Sequence, residues 1–184
     1  LVLHYQDRLL RMIATLLNDE RRHAEDLAQI VFVEAFRRLK NFDPARSRFS
    51  TWLFTIARSQ FYSSLRSARR RTAAVGSGDS ENVAGIDRAD RSSDLIDLSK
   101  ALWCLNPEYR EALMLVGACG FSYEEAAAVC ACGLGTMKAR VSRARRRLAT
   151  RERRASARGM LGERARYSVA PFLRGQRKVQ VARA

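Results

Sequence analysis

Between Leu3 and Arg71 apolar residues recur at three- and four-residue steps, the rhythm that lines up one face of an α-helix. Leu9, Ile13, Leu16 and Leu17 form the first such face. A second helix is predicted from about His23 to Leu39, where Leu27, Ile30, Val31, Ala35 and Leu39 repeat and Phe32 and Phe36 widen the stripe. Asn41-Phe42-Asp43-Pro44 interrupts it, because proline disfavours helical backbone in the residue before it. Ser50 or Thr51 can then cap a third helix from Trp52 to about Arg71. Its first half is apolar (Trp52, Leu53, Phe54, Ile56, Ala57) and its second half strongly basic.

Residues 73–92 are rich in Gly, Ser and Asp, show no sustained periodicity, and read as a linker. Helical spacing resumes at Leu95, Leu98, Leu102 and Leu105, behind a cap at Ser92 or Ser93. Asn106-Pro107 restarts the chain, with Asn as N-cap and Pro at the first helical position, and that helix ends near Gly117 to Gly120. Ser122-Tyr123-Glu124-Glu125 has the spacing of a capping box, in which the Ser oxygen accepts from the Glu125 amide and the Glu carboxylate reaches back. The helix it opens runs through Ala126, Ala127 and Ala128 to about Val129, and its small side chains let another helix approach closely. A short turn with Gly133 and Gly135 leads to a last helix from about Thr136 to Leu148. Helix, tight turn and basic helix together spell helix-turn-helix.

At 100° per residue, Met137, Val141, Ala144 and Leu148 of that last helix fall along one direction and form an inward seam. Ala139, Ser142, Arg143 and Arg146 point the opposite way, with Lys138 and Arg145 on one flank and Arg140 and Arg147 on the other. Such a helix can enter a DNA major groove, its outer residues meeting base edges and its flanking cations meeting phosphates. The chain is therefore expected to be all-α, with two small helical domains. Residues 1–72 form the first, 73–93 a flexible acidic linker, 94–150 the helix-turn-helix domain, and 151–184 a basic tail expected to be disordered.

Charge strengthens the nucleic-acid reading. The 184 residues carry 34 basic and 19 acidic side chains, a net charge of +15. The excess is segregated: +7 over residues 1–72, −4 over 73–99, +4 over 100–148 and +8 over 149–184. Two basic modules around an acidic connector suit a polyanionic partner. The longest apolar runs, such as Ala112 to Cys119, are far shorter than the roughly 20 residues of a membrane helix. With no signal-peptide pattern either, a cytoplasmic protein without membrane insertion is expected. Leu1 is not an initiator Met, as in a chain that begins inside a longer one. Cys104, Cys119, Cys130 and Cys132 lack paired CxxC spacing, and His4 and His23 lie far from them in sequence, so no metal site is expected. No glycine-rich phosphate loop and no nucleophile beside a base is present, so neither an enzyme, a cofactor nor a small-molecule substrate is expected.

Three stretches resemble a known family. FSYEEAAAVCACGLGTMKARVSRARRRL is similar to region four of the extracytoplasmic-function sigma factors, the two-domain bacterial promoter-specificity subunits. AEDLAQIVFVEAFRRL and FSTWLFTIARSQFYSSLRSARRR resemble their region two, and LVGACGFSYEEAA is especially similar to the general-stress branch. The resemblance covers about residues 3–72 and 94–150. It implies a protein that binds core RNA polymerase, recognises the minus-35 and minus-10 elements of promoter DNA, promotes melting, and is controlled by an anti-sigma factor. The positions matching the minus-35 reader are Thr136, Lys138, Ala139, Arg140, Ser142, Arg143 and Arg146. The minus-10 positions are Arg46, Ser47, Arg48 and Phe49 in a base-holding loop, and Arg58, Ser59, Tyr62, Arg66 and Arg69 along the third helix. Asp26, Gln29, Arg37 and Arg38 match the polymerase-docking helix. Ile30, Ser59 and Ala139 depart from the residues most frequent there, as does the tail from Thr150.

The region-two residues carry suitable chemistry of their own, since Phe49, Trp52, Phe61 and Tyr62 lie near arginines, and single strands are held by base stacking on aromatics with cationic tracking. Trp52 and Phe54 are expected to pack internally, and Tyr62 to be the more exposed. Two other readings fit part of the chain. A dimeric helix-turn-helix regulator would need a palindromic site. A sigma-like mimic that sequesters an anti-sigma factor need not keep cations on its last helix, against which Lys138, Arg140, Arg143, Arg145, Arg146 and Arg147 argue.

Overall fold

The computed structural model describes residues 2–17, 21–74 and 101–157; side chains at 2, 21, 22, 69, 71–74, 152 and 154–157 lie outside that description. All the described elements are helical, and they belong to two compact units, Leu1–Asp87 and Arg88–Ala184. The Gly/Ser/Asp stretch from 75, the Ser92 or Ser93 cap, Leu95, Leu98 and the tail from 158 lie outside the described residues. Among the described residues no helix is long and apolar enough to cross a membrane.

The first unit packs α1 (Val2–Leu17), α2 (Arg21–Arg38) and α3 (Phe49–Ala74) against one another, with a single 3-10 turn, Leu39–Asn41, after α2. Its core is Leu9, Met12, Ile13 and Leu16 of α1, Ala24, Leu27, Ala28, Val31 and Ala35 of α2, and Leu53, Phe54, Ile56, Ala57 and Phe61 of α3. The expected α2 stripe divides in two: Leu27, Val31 and Ala35 are buried, whereas Ile30, Phe36 and Leu39 are exposed together with Val33. A helix in a three-helix bundle offers the core little more than a 100° stripe, so residues one step round the helix face outward. The third helix starts earlier than expected. The Trp52 amide donates to the Arg48 carbonyl at 3.1 Å, so Arg48 stands at the cap, and neither Ser50 nor Thr51 does.

In the second unit a helical segment at 101–103 leads into α4 (Pro107–Leu113), whose last turn widens to π-helix over Met114–Ala118. Pro107 opens α4 as expected, but Asn106 caps it with no side-chain bond. Gly120, at φ +69°, then reverses the chain, and the Phe121 amide bonds back to the Leu115 carbonyl at 3.0 Å. That closure buries the Phe121 ring. Helix α5 (Tyr123–Val129) has the expected capping box, with Glu125 N donating to Ser122 Oγ at 3.1 Å and Ser122 N to Glu125 Oε2 at 2.9 Å. Its own amide, then the Ser122 hydroxyl, hold the Glu124 carboxyl below its ordinary pKa. Helix α6 (Leu134–Ala157) starts two residues before Thr136 and runs past 150, so Gly135 lies inside it. Met137, Val141, Ala144 and Leu148 of α6 are all buried, as the angular reading expects. Cys119 and Cys130 are buried in this core as well, in a packing role.

The α5–α6 turn holds its strain at an unexpected residue type. Its left-handed residue is Ala131, at φ +51°, and neither Gly133 nor Gly135. Cys132 N donates to Ala127 O at 3.0 Å and Ala131 N to Ala128 O at 3.2 Å, the two bonds of a Schellman closure whose left-handed position favours glycine. Alanine is strained there by its Cβ. Ala131→Gly is expected to stabilise the second unit by about 1 kcal/mol, seen as a higher melting midpoint. An unchanged or lower midpoint would show that the alanine costs nothing.

Candidate nucleic-acid interface

The inward seam of α6 fixes which of its side chains reach solvent. Of the four residues the angular reading placed outward, Ser142, Arg143 and Arg146 are exposed and Ala139 is half-buried; Thr136 and the flanking Lys138 are exposed as well. The flanks differ from that reading. Arg140 Nη2 lies 2.8 Å from Glu108 Oε2, at the first turn of α4. Arg147 Nη1 donates to Asn106 Oδ1 at 3.4 Å, and its guanidinium sits 5.1 Å from the Tyr109 ring centroid. Arg145 Nη1 donates to Tyr123 Oη at 3.3 Å. Arg143, Arg146 and Lys138 thus face solvent, while the flanking Arg140, Arg145 and Arg147 contact α4, its cap and α5.

In the first unit the segment 43–48 is a compact turn. Asp43 Oδ1 accepts from Ala45 N at 2.9 Å, and the Asp43 carbonyl accepts from Arg46 N at 3.1 Å and Ser47 N at 3.4 Å. Asp43 thus organises the turn through both side chain and backbone. Arg46 and Arg48 are exposed on it and Ser47 is half-buried. Phe49 follows at the start of α3, and its ring packs 5.5 Å from Tyr5, 5.5 Å from Phe42 and 5.4 Å from Trp52. Phe42 and Trp52 close the cluster at 5.2 Å. Phe49 therefore belongs to a half-buried aromatic floor beneath the turn. Of the two rings expected inside, Phe54 is fully buried and Trp52 is half-buried within this cluster.

Along α3, Arg58, Tyr62 and Arg66 recur every four residues and share one face. The Arg58 guanidinium lies over the Tyr62 ring at 4.8 Å, and Tyr62 packs edge-on to the buried Phe61 at 5.1 Å, leaving Tyr62 half-buried. Ser59 and Arg66 are exposed; the side chain of Arg69 lies outside the description. On α2, Asp26, Gln29, Arg37 and Arg38 are all exposed, with Arg38 paired to Glu34 and Arg37 Nη1 3.9 Å from the same carboxylate. Among the described residues no group of three or more His, Cys, Asp or Glu side chains is placed to hold a metal ion.

Residues 1–71 match sigma-70 region 2, and residues 95–148 match sigma-70 region 4. Over 139 residues the chain is 38% identical to the ECF RNA polymerase sigma factor EcfG of Rhodopseudomonas palustris, covering 76% of each sequence. The chain belongs to the extracytoplasmic-function sigma factors. It is therefore of a family of transcription initiation factors. Two solved sigma factors are similar to this one in structure. The sigma factor RpoE of Bartonella quintana, in complex with the anti-sigma factor NepR, matches with a TM-score of 0.69 at 41% identity, over 80% of this chain and 91% of that one. CnrH in complex with the cytosolic domain of CnrY matches with a TM-score of 0.59 at 25% identity, over 81% and 82%.

Reading the sequence as a sigma factor missed two features of this one. The first is the outer face of α2, where Ile30, Val33 and Phe36, followed by Leu39 of the 3-10 turn, are exposed among Asp26, Gln29 and Arg37. Exposed apolar residues among polar groups are of the kind that a partner protein can cover. Its signal was in the sequence as an apolar stripe too wide for one core contact. The second is Arg110, buried and bound to backbone carbonyls of residues 102, 103 and 105. No spacing rule points to it.

Proposed function

We propose that this sigma factor docks on core RNA polymerase through the outer face of α2 and reads the minus-35 element with α6. In the same reading it holds the minus-10 element between the 43–48 turn and the Arg58, Tyr62, Arg66 face of α3. The observation that carries the reading is α6 itself: a seam with Met137 and Val141 wholly buried, opposite an exposed Lys138, Ser142, Arg143 and Arg146. This puts hydrogen-bonding and cationic groups where a helix in a major groove meets bases and phosphates. The Arg46 and Arg48 turn over an aromatic floor is suited to a separated strand. An anti-sigma factor is proposed as the regulatory partner, supported by the similarity to RpoE, which was solved with NepR. The exposed apolar strip of α2 is a surface such an inhibitor can cover in competition with polymerase.

Run-off transcription with purified chain and core polymerase tests the reading on promoters varied at each minus-35 position. Specific initiation is expected, and Arg143→Ala is expected to cost about 1 to 3 kcal/mol in promoter discrimination at one position. An equal loss on every sequence would make Arg143 a phosphate contact, and no dependence on core polymerase would remove the function altogether.

A further inference from the structure

Six cations lie on α6 between Lys138 and Arg147, and the fold holds three of them back. Arg145 donates to the Tyr123 hydroxyl and Arg147 to the Asn106 side chain. For Arg140 the partner is a full countercharge. Its side chain is 17% exposed, drawn in against the N-terminal turn of α4, whereas the Glu108 side chain that pairs with it is 62% exposed. Glu108 lies mostly in water. Pairs of this exposure contribute little to stability, and a carboxylate in the first turn of α4 meets the helix dipole without any help from Arg140, so folding does not require the pairing. An arginine that reached DNA from this flank would meet a phosphate, because base edges are met by the outer face. Phosphate contacts strengthen binding to every sequence alike.

We propose that Glu108 is an affinity-limiting residue that sequesters Arg140 from the DNA backbone and so lowers binding of α6 to DNA of any sequence. The proposal rests on the assignment of α6 as the minus-35 reader. Glu108 withholds one phosphate contact without touching DNA, and occupancy is left to the base-reading face. The pair makes Arg140 the exception among the residues matched to the minus-35 reader. In the wild-type chain it adds nothing to the interface, and it contributes only once its carboxylate partner is replaced.

The test uses the full chain bound to core polymerase, and duplexes that end upstream of the minus-10 element and carry either a minus-35 sequence or a scrambled one. Glu108→Gln is expected to tighten binding several-fold on both duplexes and to steepen the fall of log K with log salt by about 0.9, one phosphate's worth. Arg140→Ala alone is expected to leave affinity unchanged, and Glu108→Gln with Arg140→Ala to return to the wild-type value and slope. The proposal is overturned if Arg140→Ala alone weakens binding, since Arg140 would then already contact DNA. It is also overturned if Glu108→Gln leaves the slope unchanged, or if its gain survives in the double variant, where simple repulsion by Glu108 would be the cause. Arg143→Ala run in parallel reports on the assignment of α6 separately: if that variant treats both duplexes as wild type does, the assignment has failed and not the role of Glu108. Equal melting midpoints for the variants exclude a folding effect.

Discussion

Replacing Arg110 with Ala is expected to cost the second unit about 3 kcal/mol or more, and with it the promoter recognition proposed for α6. Arg110 is only 3% exposed. Its Nε donates to Leu102 O at 3.1 Å, and its Nη2 to Trp103 O and Leu105 O, each at 3.1 Å. Those carbonyls belong to the end of the helical segment at 101–103 and the turn after it, where the helix leaves its last acceptors without intrahelical donors. One planar guanidinium satisfies all three and also stacks on the Trp103 ring at 3.6 Å. Truncation removes the side-chain donor from all three carbonyls, of which Leu102 O keeps the Leu105 amide at 3.0 Å, and leaves a gap beneath the indole in a unit too small to absorb the loss. Lysine cannot replace the planar fork, so Arg110→Lys is expected to recover only a minor part. Hydrogen exchange on the full chain is the direct readout. Protection in residues 101–148 should collapse while the amides of α1, α2 and α3 keep theirs. Wild-type protection across both units in Arg110→Ala would refute the argument.

The contrast between Arg110 and the α6 seam shows what the sequence can carry. Met137, Val141, Ala144 and Leu148 were legible because one helix with a narrow apolar stripe has only one way to bury it, and the Ser122 to Glu125 capping box because its parts lie three residues apart. The family resemblance added the order of the two domains. Arg110 was not legible. Charged residues are ordinarily assigned to the surface, and its acceptors are backbone carbonyls that no residue type announces. Arg140 was legible as a flank of α6 but not as a paired one, because Glu108 comes from another helix and only packing brings them together. Ala131 hid for the opposite reason: glycine is the ordinary signal for a left-handed turn, two glycines stood close by, and the chain places the strain on alanine instead.

The α2 helix was half legible, and that half leads to the second large effect, at Phe36. Periodicity finds apolar positions but cannot say which of them meet the core. Leu27 and Val31 do, whereas Ile30, Val33 and Phe36 are 52%, 53% and 80% exposed. Exposing a phenylalanine ring to that extent is unfavourable in the isolated chain, and burying it against a partner recovers its apolar area. Interface energy concentrates in a few such aromatic anchors. Phe36→Ala is therefore expected to weaken binding to core polymerase by about 2 kcal/mol, near thirtyfold, with no loss of melting temperature because the ring supports no core contact. Val31→Ala should do the reverse, lowering the melting temperature of the first unit by creating a cavity while the outer face keeps its chemistry. Affinity measured by fluorescence titration of labelled chain into core polymerase, with melting curves on the same samples, separates the two. If Phe36→Ala bound as tightly as wild type, the outer face of α2 would lose its assignment as the docking surface. If it bound weakly but also melted early, the ring would have to be counted among the core, against its exposure.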